Sequence, residues 1–332
     1  MIQHIRNRRW LRLVAVVAAA VATNLWWQWL APGSYDAMAG EPLIMNGFDI
    51  SKALIPAEEI LPGGPPRDGI PAIDHPKFIP AKDADFLGPD DRILALQIGG
   101  TAKAYPIKIL NWHEIVNDHI ASQAVTITYC PLCGTGVAFD AEADGRSRSF
   151  GVSGLLYNSD VLLYDRETES LWSQILGKAV SGRFMGTPLR PIPLEHTTWH
   201  DWQQRYPDTL VLSTNTGFGR DYNRNPYAGY EKSRELYFSV THSAPPRYHP
   251  KERVLGLNAN GVFKAYPYIE LNRQAKRSFQ DKINGQGYTI QWNPEHQAGR
   301  IFDADGHEMP VITGFWFAWF TFHPETRVFS AE

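Results

Sequence analysis

A chain of 332 residues with 43% hydrophobic and 20% charged residues can bury one large core or two moderate ones, and it is not a disordered polymer. Its formal net charge of −3 demands no basic surface, which excludes nucleic acid as the main partner. The 24 prolines and 27 glycines predict many turns and short strands.

In chain order, the first element is an export signal. Arg6, Arg8, Arg9 and Arg12 flank an uncharged run from Leu13 to Val21, and apolar character continues to Leu30. The basic flank stays cytoplasmic and the rest crosses. Trp26, Trp27 and Trp29 fit an aromatic belt at the far interface. Residues 1–31 are therefore expected to be a single N-terminal anchor in the inner or cytoplasmic membrane, with a soluble domain that is periplasmic or extracellular. A signal peptide cleaved after Ala22 is the alternative. Residues 32–90 are an irregular lead-in packed on the domain, because Pro62-Gly63-Gly64-Pro65-Pro66 cannot be helix or central strand.

The remainder reads as an internal duplication. Arg92-Ile93-Leu94-Ala95-Leu96 returns as Arg253-Val254-Leu255-Gly256-Leu257, and Lys103-Ala104-Tyr105-Pro106 as Lys264-Ala265-Tyr266-Pro267. Phe139-Asp140 returns as Phe302-Asp303, and Glu167-Thr168 as Glu325-Thr326. An ordered series of this kind predicts a repeated supersecondary unit. We expect a first repeat over 91–196, a connecting segment over 197–251 and a second repeat over 252–332. Each unit opens with a strand pair, and the proline of Lys-Ala-Tyr-Pro starts a helix, spanning 107–116 or 268–279. Thr197 or Thr198 starts another helix, running to Tyr206. The aromatic run from Gly314 to Phe322 reads as a buried strand. The expected fold is α+β, mainly β, with two pseudo-equivalent halves.

The chain has only two cysteines, Cys130 and Cys133, three apart on a turn between strand-like runs. The second half carries Asn293-Pro294-Glu295-His296 there, so the scaffold does not need sulfur at this turn. Two thiols in a Cys-Pro-Leu-Cys-Gly turn suit one transition metal ion, zinc, copper or iron. His113 is the first candidate for a further ligand, and His296 the next. His119, His242, His249 and His323 are weaker. The same pair read as a thiol–disulfide couple is the alternative, although Gly134-Thr135-Gly136 suits a hairpin better than a redox helix. A non-catalytic metal-binding or interaction module is a third reading. Ser153, Asn158 and Asp160 are candidates for a ligand-binding wall, weighed against plain strand-end turns. The expected partners are the membrane, through the anchor, and a small-molecule substrate or redox partner. No phosphate loop, nucleophile elbow or His-Glu-x-x-His helix is present.

Thr128-Tyr129-Cys130-Pro131-Leu132-Cys133, Asn158-Ser159-Asp160 and Thr168-Glu169-Ser170-Leu171-Trp172-Ser173-Gln174 resemble signatures of the DUF3179 family. So do Phe150-Gly151-Val152-Ser153-Gly154-Leu155-Leu156, Asp68-Gly69-Ile70-Pro71-Ala72-Ile73 and Trp112-His113-Glu114-Ile115-Val116-Asn117-Asp118. The resemblance implies an exported or membrane-anchored bacterial or archaeal protein. It implies no activity, since the family is one of unknown function.

Overall fold

The computed structural model describes residues 42–331, so the expected anchor over 1–31 lies outside the described residues. No helix among the described residues is long and apolar enough to cross a membrane. Ile44–Glu332 forms one unit. It is mainly β, with four short α-helices among the described residues: α1 (Ile107–His113), α2 (Trp199–Arg205), α3 (Tyr268–Arg273) and α4 (Trp316–Phe322).

Three larger sheets organise it. In an eight-stranded sheet the order is 327–328, 262–267, 253–259, 311–315, 135–140, 123–130 and 115–120, with 191–192 also on 135–140. A five-stranded sheet runs 195–198, 92–98, 101–106, 210–212 and 78–80. A second five-stranded sheet joins 178–181, 171–173, 160–165, 150–157 and 60–62. The lead-in is thus tied down by edge strands, and Pro62 sits on a sheet edge, where its missing N–H costs no ladder bond.

Two stretches of chain have matching architecture. The hairpin Arg92–Ile98/Thr101–Pro106 leads through α1 into the hairpin Ile115–Ile120/Gln123–Cys130. The hairpin Arg253–Ala259/Val262–Pro267 leads through α3 into Ser278–Ile283/Gln286–Asn293. Lys103 and Tyr105 both bond the Asp118 carboxylate, at 2.8 and 2.6 Å, and Lys264 and Tyr266 both bond Asp281. Trp202 on α2 donates its indole N–H to Thr209, and Trp319 on α4 donates to Thr326, seven residues on in each case.

These pairings revise the sequence reading at its ends. Glu195–Thr198 and Leu210–Leu212 pair into the first five-stranded sheet, so residues 197–212, expected in the connecting segment, belong with the first hairpin. Glu167-Thr168 lies in the turn between strands 160–165 and 171–173, where Thr168 bonds Asp165, and does not correspond to Glu325-Thr326. Helix α1 stops at His113, because Glu114 takes a left-handed φ of 57° and Ile115 begins a strand. Helix α3 likewise ends at Arg273, with a strand from Ser278. The aromatic run is a strand only to Phe315 and continues as α4. Its residues are buried on several sides, so the period that separates strand from helix is absent from the sequence.

The helix from Thr198 falls where expected, with the Thr198 hydroxyl accepting from Asp201 N. Between Leu212 and Arg253 the only helix or strand is the 3₁₀ turn Tyr230–Lys232. This long strap packs Leu236, Phe238 and Val240 against the core that holds both cysteines.

A candidate metal centre beside a buried acid

Cys130 ends one strand and pairs across the hairpin with Thr135, which opens the next. The turn between them closes through Gly134, whose φ is 61°. A Cβ at Gly134 would lie 2.9 Å from the Phe315 ring, so both the backbone and the packing call for glycine. The Cys133 carbonyl accepts from Phe315 N at 2.8 Å, anchoring the turn to the neighbouring strand.

A second hairpin meets this turn. Asn158 and Ser159 are its two central residues, with φ of 54° and 67°, which makes it a tight primed turn between Tyr157 and Asp160. The Ser159 carbonyl accepts from Cys133 Sγ at 3.3 Å and lies 3.7 Å from Cys130 Sγ. Asp160 follows and brings its carboxylate to the thiols. The two sulfurs and a carboxylate oxygen of Asp160 all lie within 4.8 Å of one another. Asp160 Oδ2 accepts from Ile175 N, whereas its Oδ1 is buried and has no partner among the described residues.

The electrostatics are unusual. The cysteines are free and buried, and burial pushes both thiols up, Cys133 far above its ordinary range. Burial also pushes Asp160 up to about 7. Glu114, buried at the end of α1, is pushed up to about 8, first by burial and then by Asp160. The largest influences on these four acids include no lysine, arginine or histidine. Four buried acids without a cation stay neutral by holding protons, or ionise around a metal.

The histidines expected as ligands are elsewhere. His113 Nδ1 bonds the Pro71 carbonyl at 2.8 Å and its Nε2 bonds Tyr222 Oη at 2.7 Å, so both ring nitrogens are occupied. His296 bonds Thr198 Oγ1 and packs near His200. Neither joins the thiols. Of the three polar wall candidates, Asp160 is in the site. Ser153 bonds Leu162 O and Leu155 N across a bulge in its own hairpin. Asn158 accepts from Thr241 N and Oγ1, which holds the strap.

Glu114 and the strap were not singled out by the sequence. Tyr227 and Tyr230 on the strap are both pushed upward, chiefly by burial, then by Glu114 at Tyr227 and by the thiols at Tyr230. Glu114 stands within the Trp112–Asp118 family signature but nothing there marks it as a site residue, and the strap's tyrosines lie about a hundred residues away in a stretch without periodicity.

Residues 67–326 match the family described as "Protein of unknown function (DUF3179)". The chain belongs to the DUF3179 family. No curated protein and no solved structure gives a match. The DUF3179 match spans the whole site, from the Asp68–Ile73 segment through the thiols to the strap and α4.

Proposed function

We propose that this protein binds one transition metal ion through Cys130, Cys133 and Asp160. The observation that carries this reading is the unpartnered, buried Asp160 Oδ1 beside two buried thiols, with the ligand atoms of all three residues within 4.8 Å of one another. A lone buried carboxyl oxygen costs about 1–3 kcal/mol if nothing binds it. A metal would remove that cost and deprotonate the thiols at neutral pH. Two soft thiolates with one hard carboxylate suit zinc or iron(II) better than copper(I). Three protein ligands leave one position open, which is the pattern of a catalytic site and not of a closed structural one. The proposal is therefore a metal-dependent enzyme of small-molecule chemistry, an oxidoreductase being one option. The thiol–disulfide reading gains no support, since burial holds both sulfurs as thiols.

The domain is proposed to sit outside the cytoplasmic membrane on the anchor of residues 1–31. The arginine flank and the three tryptophans support this. Retention on membranes through a high-salt wash tests it, and a native N-terminus at Thr23 would overturn the uncleaved anchor. The two matching halves are proposed to descend from one duplicated unit. Support comes from the paired Lys–Tyr–Asp clusters and the paired Trp–Thr bonds. On that reading the sheet carrying Asp160 is an insertion in the first half alone, and it supplies the third ligand.

The deciding experiment is elemental analysis of untagged protein, with thiol titration of the same sample. One zinc or iron per chain, lost in Cys133→Ser and Asp160→Ala, is expected. Metal-free wild type that takes up neither metal on reconstitution would end the proposal.

A further inference from the structure

Beside the thiol turn lies a cavity of about 240 Å³. Leu132, the residue between the two cysteines, forms part of its wall, and so does Val161, next to Asp160. Val152, Leu156 and Phe238 also line the cavity, and its polar side chains belong to Glu114 and two strap tyrosines, Tyr227 and Tyr237. No basic residue lines it. At ~30 Å³ per water it has room for about eight waters, which suits a compact organic molecule of one ring.

The lining selects a chemistry. An anion would face only carboxyl and hydroxyl groups across an apolar wall, with no partner for its charge. The Glu114 carboxyl and the Tyr227 hydroxyl hydrogen-bond each other, and a neutral molecule with one oxygen acceptor would place its body on the aliphatic residues and take the hydrogen that this pair leaves free. Backbone geometry supports a built site. Glu114 holds a left-handed φ of 57°, a conformation costly for a non-glycine residue, with its N–H bonded to Leu110 O and its carbonyl to Tyr129 N. Gly154 lines the same cavity with φ 73°, and a Cβ there would lie 2.3 Å from Pro65 O. Both residues hold backbone conformations that keep the cavity's walls in place.

We propose that this cavity binds a small, uncharged carbonyl compound, with Glu114 and Tyr227 as binding residues for its oxygen, beside the Cys130–Cys133–Asp160 cluster. Cys130, Cys133 and Asp160 do not line the cavity themselves, so the proposal stands without the metal reading.

The test uses the full-length chain in detergent and three probes with the same ring: cyclohexanone, cyclohexanecarboxylate and cyclohexylammonium. Saturation-transfer NMR on metal-free protein is expected to show binding of cyclohexanone and not of cyclohexanecarboxylate. Leu156→Trp, which fills the cavity, should abolish the ketone signal. Tyr227→Phe, which keeps the packing, should weaken it about tenfold. Equal binding of ketone and carboxylate, or of ketone to wild type and to both variants, would overturn the proposal. The ammonium should bind no better than the ketone, and preferential binding of the ammonium would also overturn it.

Discussion

The Ser159 carbonyl oxygen accepts from Cys133 Sγ at 3.3 Å, across 26 residues of chain. That contact joins two tight turns of opposite origin: one needs Gly134 at positive φ, the other holds Asn158 and Ser159 there without glycine. Left-handed backbone at two successive non-glycine residues costs roughly 1–2 kcal/mol each. Each of the two residues meets the strap as well, since Ser159 Oγ donates to Phe238 O and Asn158 accepts from Thr241. The strained turn thereby sets both the place of Asp160 beside the thiols and the packing of the strap.

Removing that support should loosen the cover before it unfolds the domain. Asn158→Ala deletes the acceptor for Thr241 N and Oγ1 and should cost about 1–3 kcal/mol. Limited proteolysis should then cut within residues 233–244 faster than in wild type. Unchanged cutting with a full loss of stability would place the role of Asn158 in the hairpin alone.

His113 separates the ligand set expected from the sequence from the one proposed above. His113→Ala leaves Tyr222 without its ring partner, and a loss of about 1–3 kcal/mol in chemical denaturation is expected. Metal content should remain at the wild-type level. A parallel loss of metal in folded His113→Ala would show that the histidine reaches the thiols after all.

The pH dependence of metal-free protein follows from its buried acids. Asp160 rises from 3.8 to about 7, and Glu114 from 4.5 to about 8. Between those values the unfolded chain has released protons that the folded chain still holds, so stability falls as pH rises from about 4 to about 8. The combined effect is on the order of several kcal/mol. Denaturant midpoints measured with a chelator at pH 5 and pH 8 should show the drop, and Asp160→Asn should remove part of it. Metal-saturated protein should lack most of the drop, because the metal takes the place of the protons.

Gly256 tests the packing of α4. A Cβ there would lie 2.2 Å from the Trp319 ring. Ala95 stands at the matching position of the first hairpin, where it pairs with Ala104 as Gly256 pairs with Ala265. Gly256→Ala should cost about 1–3 kcal/mol through overpacking, read as a shift in the denaturant midpoint. Ala95→Gly should cost about 1–2 kcal/mol by a different route, freeing backbone entropy and removing a methyl group buried in the core.

The sequence by itself determined the mainly β character, the family and the turn that presents the thiols. It did so because those features are local: strand-forming runs, turn glycines and a Cys-x-x-Cys spacing act within a few residues. The two Lys-Ala-Tyr-Pro hairpins were legible for the same reason. Only the tertiary structure decided what stands beside the sulfurs. Asp160 arrives from a separate sheet and Glu114 from a helix end, while the expected His113 spends both nitrogens on Pro71 and Tyr222. Ligand identity depends on which side chains are buried together and which polar atoms are left unpaired, and residue type alone does not carry that information. The strand-to-helix switch at Trp316 has the same cause, since a segment buried on several sides has no period from which its conformation can be read.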